Sequence, residues 1–167
     1  KGIDVLLHAL QFLGQTAALR LRLIGDGPLR PELEALSTRL GLQDRVLFLG
    51  PKGREEVFEE LAACDLLVMP SRHASESFGL ATLEAMACGK PIIIADSKMS
   101  ASVDFVNGNG FTFKTKSPKE LAKKALILLK DDKLRKKMAA KSLENSSEYD
   151  IQKCATKLEN IYGSLHN

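Results

Sequence analysis

Apolar positions along the chain switch repeatedly between two periods. Ile3, Leu6, Leu7, Leu10 and Leu13 fall three or four residues apart and Gly14 follows as a stop, so residues 3 to 13 read as a helix. The run LRLRLIG, 19 to 25, alternates strictly and predicts a strand, and Gly25-Asp26-Gly27-Pro28 then turns the chain. Leu29, Leu33, Leu36 and Leu40 mark a second helix closed by Gly41, RVLFLG (45 to 50) a second strand, and residues 55 to 63 a short helix. DLLVMP, 65 to 70, is continuously apolar between Asp65 and Pro70, the pattern of a strand buried on both faces.

After the polar loop SRHASES, residues 78 to 88 predict a helix capped by Gly89, and PIIIA, 91 to 95, a further strand. A surface loop with a helical turn over 97 to 106, the turn NGNG and a short strand at 110 to 113 complete the alternation. Ser117-Pro118-Lys119-Glu120 combines Ser at the N-cap, Pro at N1 and Glu at N3, so helices are expected over most of 118 to 145 and again over 148 to 164. Helices alternating with strands across short connections indicate an α/β fold, a Rossmann-like doubly wound parallel sheet with helices on both faces. Ligands in that architecture bind beyond the carboxyl ends of the strands, which selects the loops at 25 to 28, 50 to 53, 70 to 79 and 96 to 100.

Composition narrows the picture. At 167 residues and 44% apolar content the chain can bury a full core as one domain, so neither a disulfide framework nor a structural metal is needed. Its three cysteines, Cys64, Cys88 and Cys154, form no C-x-x-C pair, which speaks against a zinc ribbon or thioredoxin-like site and suits a reducing, cytoplasmic setting. The three histidines have no metal-ligand spacing. No run reaches the ~18 apolar residues of a membrane-spanning helix, and Asp4 interrupts what would be the apolar stretch of a signal peptide. Charge is uneven: residues 114 to 141 hold eleven Lys and Arg against Glu120, Asp131 and Asp132, a net +8, which leaves −5 for the rest. A solvated helix face accounts for such a segment, and so does attraction to an anionic membrane surface at the cytoplasmic face. Nucleic acid is not expected, because no aromatic residues are interleaved with the lysines.

The chemistry concentrates at 76 to 84. Glu76 lies in the polar loop and Glu84 about one and a half turns into the helix that follows. Between them, Ser77-Phe78-Gly79-Leu80 forms the helix start, whose free N–H groups and positive dipole end suit a phosphate, and Gly79 permits close approach to the main chain. Two carboxylates flanking a helix N-terminus suit a nucleotide sugar: amides for the diphosphate, one Glu for ribose hydroxyls, the other for sugar hydroxyls. Either Glu also reads as a solvated charge near a helix start.

The segment ESFGLATLEAMACGKPII, with DLLVMPS and LRLIGDGPLRPELE before it and GFTF after it, resembles the C-terminal half of the family 4 glycosyltransferases of GT-B fold. The resemblance runs from Lys1 to about Tyr149. It implies the donor-binding domain of a retaining hexosyltransferase that takes a UDP- or GDP-sugar without cofactor or metal. Glu76 would hold the donor sugar and Lys1 would neutralise the departing diphosphate, the two catalytic residues. Phe78, Gly79 and Leu80 would contact sugar and diphosphate through the main chain, Glu84 the ribose, and the Gly50-Pro51-Lys52 loop the base, while the Gly25 loop closes over the site. The family's donor domain starts with a central strand and an Arg-bearing loop, and this chain begins just after both. The resemblance therefore also implies a fragment, inactive alone, of a two-domain enzyme whose N-terminal half binds the acceptor, with helices 148 to 164 crossing back toward it. Where many members carry a Pro-Glu or Gly-x-Glu element, Ala101 and Ser102 supply no carboxylate.

Other residues carry less. His73 in the site loop reads as an incidental or acceptor-side contact, and Gly25-Asp26-Gly27 lacks the third glycine of a dinucleotide fingerprint. Cys88 reads as a small buried residue. Two other functions share the fold: a nucleotide-sugar-binding module without catalysis, and a sugar-nucleotide epimerase, for which only Glu76 and His73 offer acid or base groups.

Overall fold

A computed structural model describes residues 1–14, 19–72, 79–97 and 101–164. The first half alternates α1 (Ile3–Phe12), β1 (Leu21–Ile24), α2 (Arg30–Arg39), β2 (Val46–Gly50), α3 (Arg54–Ala63) and β3 (Leu67–Met69). The second half holds α4 (Leu80–Ala87), β4 (Ile92–Asp96), a 3-10 turn (Ala101–Phe105) and β5 (Gly110–Lys114). It ends with α5 (Pro118–Lys130), α6 (Asp132–Ser146), a 3-10 turn (Ser147–Tyr149) and α7 (Ile151–Ser164). The expected elements are present, with one division: the helical stretch from 118 breaks at Asp131. That residue ends α5 in an extended conformation and caps α6 by accepting the Leu134 N–H at 2.9 Å. Ser117 caps α5 as its sequence implies, accepting the Glu120 N–H, but the Glu120 carboxylate turns instead to the Lys114 N–H at 3.0 Å.

All strand ladders are parallel, and they form two sheets, β1-β2 and β3-β4-β5. Among the described residues no ladder joins β1 to β3, although both border one apolar cluster through Leu21, Leu23 and Val68. The ladder is thus interrupted where the resemblance implied a central strand. β3 packs on both faces as expected, Val68 against the cluster of α1 and α5 and Leu67 and Met69 against that of Met86 and Phe105, but all three stay only half-buried, in a strand that has a neighbour on one edge alone. The sequence run could not reveal this, since a continuous apolar stretch looks the same at a sheet's centre and at its margin.

β4 is the strand buried on both sides, and its alternation shows how the layers are filled. Ile93 and Ala95 point into a cluster with Val5, Leu6 and Ala9 of α1, Leu121, Ala125 and Leu128 of α5, and Met138 of α6. Ile92 and Ile94 point the other way, against Met86 of α4 and Phe105. Period-2 alternation on one strand therefore feeds two helical layers, the arrangement of a doubly wound α/β fold. A third cluster, Leu7, Leu10, Leu42 and Val46, ties α1 to the β1-β2 sheet.

Residues 97 to 110 do not form the expected surface loop throughout, since Ser102, Phe105 and Asn109 are buried. Asn109 accepts the Asn107 N–H at 2.9 Å and donates to Ser142 Oγ at 3.3 Å, and Ser142 donates in turn to the Lys90 carbonyl at 2.7 Å. This chain of bonds fastens α6 to the entrance of β4. Replacing Asn109 by Ala strands buried polar groups and is expected to cost about 1–3 kcal/mol in urea denaturation, whereas replacing the exposed Lys137 should leave the midpoint unchanged.

Candidate functional site

The carboxyl ends of the strands gather the elements that the sequence singled out. Beyond β3 come Pro70, Ser71 and Arg72, with Pro70 and Ser71 buried. Gly2, which precedes α1, lies against them in the left-handed region at φ 81°, and an added Cβ would overlap the Pro70 carbonyl oxygen and approach Arg72 Cγ to 3.4 Å. The Gly2 carbonyl accepts the Val5 N–H at 3.1 Å and starts the helix. Asp4, in the first turn of α1, pairs with the Arg72 guanidinium. Backbone contact and ion pair together fix the start of α1, and the exposed Lys1 before it, beside the loop that leaves β3.

α4 opens at Gly79, also left-handed at φ 76° and ψ 48°. A Cβ there would collide with Ser102 Oγ and stand 3.2 Å from Ser102 Cβ, so the 3-10 turn packs directly under the start of α4. Only glycine satisfies both the backbone angle and that approach. The Gly79 carbonyl accepts the Thr82 and Leu83 N–H groups at 2.9 and 3.2 Å, while the Leu80 and Ala81 amides have no acceptor within the helix and mark an anion-favouring end. Leu80 is 64% exposed at this end. Glu84 is the fifth residue of α4, half-buried, and no hydrogen bond or ion pair among the described residues engages its carboxylate. Glu76, Phe78 and His73 lie outside the described residues.

The β1-β2 sheet supplies the remaining candidates. Gly25 follows β1 at φ 110° with open space where a side chain would stand, and its N–H donates to the Gly50 carbonyl at 2.7 Å, tying the two strand ends together. Lys52 is committed elsewhere: its Nζ lies 3.2 Å from Glu56 and 3.5 Å from Glu60, and Glu60 also pairs with Arg22 of β1 at 2.5 Å. The hydrogen bond that Lys52 donates to Glu56 raises the pKa of its ammonium group above the ordinary value, and the one that Glu60 accepts from Arg22 lowers that of its carboxyl. Lys52 thus braces α3 on its sheet, leaving main-chain groups as its contribution to a ligand.

Sequence reasoning passed over three polar groups here. Ser71 Oγ and Thr82 Oγ1 are buried without a hydrogen-bond partner, and Arg72 Nε is likewise buried and unsatisfied despite the pairing of its terminal nitrogen. Ser71 directly after the strand-ending Pro70 was a usable signal, whereas Thr82 inside an apolar helix offered none. Among the described residues no cluster of His, Cys, Asp or Glu could hold a metal ion, and no helix is long and apolar enough to cross a membrane.

Residues 1–144 match the model of the family described as glycosyl transferases group 1. The chain is 34% identical over 166 residues to a D-inositol 3-phosphate glycosyltransferase of Xylanimonas cellulosilytica, covering 97% of this chain and 39% of that protein. It is 36% identical over 144 residues to an N-acetyl-alpha-D-glucosaminyl L-malate synthase of Bacillus anthracis, covering 86% and 37%. The crystal structure of Anabaena Alr3699/HepE in complex with UDP superposes with a TM-score of 0.87 at 28% identity, over 98% of this chain and 45% of that one. The chain therefore spans less than half the length of these relatives.

Two outcomes test the site's construction. Gly79→Ala should destabilise the fold, and Ser102→Gly in that background should recover the steric part while about 1–2 kcal/mol of left-handed backbone cost remains, read as non-additivity in a denaturation cycle. Because the folded-state carboxyl of Glu60 lies below its unfolded value, its stabilisation is present above the ordinary Glu range and is lost as pH falls through the folded pKa. Glu60→Gln should accordingly flatten the drop in urea midpoint between neutral pH and about pH 3.

Proposed function

Because the chain belongs to the glycosyl transferases of group 1, we propose that it binds the nucleotide-sugar donor of a retaining hexosyltransferase. The observation that carries this reading is the start of α4, where Gly79 is pressed onto Ser102 and the half-buried Glu84 has no partner among the described residues. The free amides at the start of α4 donate to the diphosphate, and the main chain at Gly79 and Leu80 lies against it. Glu84 accepts from the ribose hydroxyls. Lys1, fixed beside the β3 loop by Gly2 and the Asp4–Arg72 pair, neutralises the charge that develops on the leaving diphosphate. Glu76 and Phe78 take the sugar-facing roles that the family resemblance assigns them. The Gly25 loop closes over the site and the Gly50-Pro51-Lys52 main chain faces the base. No metal or cofactor enters the scheme.

A UDP-sugar is the first donor to try, in keeping with the UDP held by the Anabaena neighbour, and a GDP-sugar the second. The coverage of less than half of each relative supports a two-domain enzyme in which another domain binds the acceptor, so that this chain alone binds donor without transferring sugar. α7 fits that proposal: Ile151, Leu158, Ile161 and Tyr162 are all more than half exposed along one helix, an apolar stripe suited to a covering domain. The enzyme is placed in the cytoplasm, with an anionic membrane surface as the partner of the basic segment 114 to 141.

Calorimetric titration with UDP, GDP and ADP is the direct test. One nucleotide should bind, and Glu84→Ala should weaken it by about 1–3 kcal/mol, the worth of a hydrogen bond to a charged group. Equal affinity of both proteins for that nucleotide would remove Glu84 from the site, and no binding by either folded protein would overturn the donor reading.

A further inference from the structure

The end of β5, the turn into α5 and the end of α1 enclose a groove lined by lysines. Two adjoining depressions of about 370 and about 240 Å³ share Phe12 and Lys119, the first bordered also by Lys114 and Lys116, the second by Lys123. Phe12 is 52% exposed and Lys119 Nζ stands 5.7 Å over its ring, so an apolar floor and a cation lie in contact. From there the outer face of α5 continues the stripe through Lys123, Ile127 and Lys130, all exposed, opposite the buried Leu121, Ala125 and Leu128.

The groove lysines share with Lys130, Lys133 and Lys137 the lack of an ion pair among the described residues, and in this they differ from a second set. Lys52, Lys136, Lys141, Lys153 and Lys157 each sit within 4 Å of a carboxylate. Among the described residues no ion pair engages Lys114, Lys116, Lys119 or Lys123. The neighbouring Glu120 spends its carboxylate on a backbone N–H. Unpaired like charges repel one another until an anionic partner neutralises them, and this partner must also suit the exposed Phe12 and Ile127. A bilayer surface meets both demands, with headgroup phosphates at the ammonium groups and acyl boundary at the apolar side chains. A single accessible ring offers no succession of stacking platforms for nucleic-acid bases.

We propose that this groove and the outer stripe of α5 form the surface on which the chain docks to an anionic membrane. The proposal rests on the membrane partner named above and locates it. It is separable from donor binding, because vesicle association and nucleotide affinity are independent measurements.

Cosedimentation with phosphatidylcholine vesicles, with and without a quarter of phosphatidylglycerol, tests it at low and at high salt. Binding is expected only to the anionic vesicles and should be lost near 0.5 M salt, where screening is nearly complete within ~4 Å. The double substitution Lys119→Gln with Lys123→Gln should weaken that binding about tenfold or more. Phe12→Ser should weaken it as well, and Lys153→Gln with Lys157→Gln, on α7, should change it little. Circular dichroism confirms that each variant keeps its helices. Absence of binding to anionic vesicles at low salt overturns the proposal. So does an equal loss from the groove and α7 pairs, which would indicate diffuse charge, and so does full displacement by millimolar inorganic phosphate, which would make the groove a site for free phosphate.

Discussion

The whole arrangement depends on α1 being apolar on two sides. Val5, Leu6 and Ala9 join the cluster over the β3-β4-β5 sheet, while Leu7 and Leu10 join the one over β1-β2. Since no ladder among the described residues crosses between the sheets, this ten-residue helix supplies much of the packing that holds them as one body. A helix so used cannot carry a polar stripe of ordinary width, and its polar positions are confined to Asp4, His8 and Gln11. Its start is fixed independently by Gly2 on the Pro70 carbonyl and by Asp4 on Arg72. The helix that joins the sheets is therefore also the one that sets Lys1 against the loop after β3.

Much of the fold could be read from residue order because its signals are local. Ser117-Pro118 starts a helix by capping geometry, Gly89 ends one through a left-handed residue, and Ile92-Ile93-Ile94-Ala95 is too short and too branched for anything but a buried strand. What escaped depends on neighbours distant in sequence. Whether Leu67–Met69 is central or marginal is decided by which strand lies beside it, and the partition of β4 between two helical layers by the path of the whole chain.

The candidate site divides along the same line. Gly79 stands out in the sequence as a residue permitting close approach, yet what approaches it is Ser102, a residue noted only for lacking a carboxylate. Lys52 reads in the sequence as part of a loop that offers main-chain groups to the base, and nothing there tells that Glu56 and Glu60, four and eight residues on, bind its ammonium group to α3. Arg72 was one polar residue among several until its pairing with Asp4 set it across the start of α1. Residue type reports what a side chain can do, whereas its available partners decide what it is left free to do.

The two sheets also differ in stiffness, and the difference falls across the ligand face. β4 has a strand on each side and four buried residues in succession, so it opens only when the surrounding structure opens with it. β1 has one neighbour, and its exposed positions, Arg22 and Ile24, gain nothing from the core. The loops that end β1 and β2 therefore stand on the softer half of the molecule, and the start of α4 on the firmer half. A ligand reaching from one to the other would bind a rigid anchor with one end and, with the other, draw a compliant edge toward it.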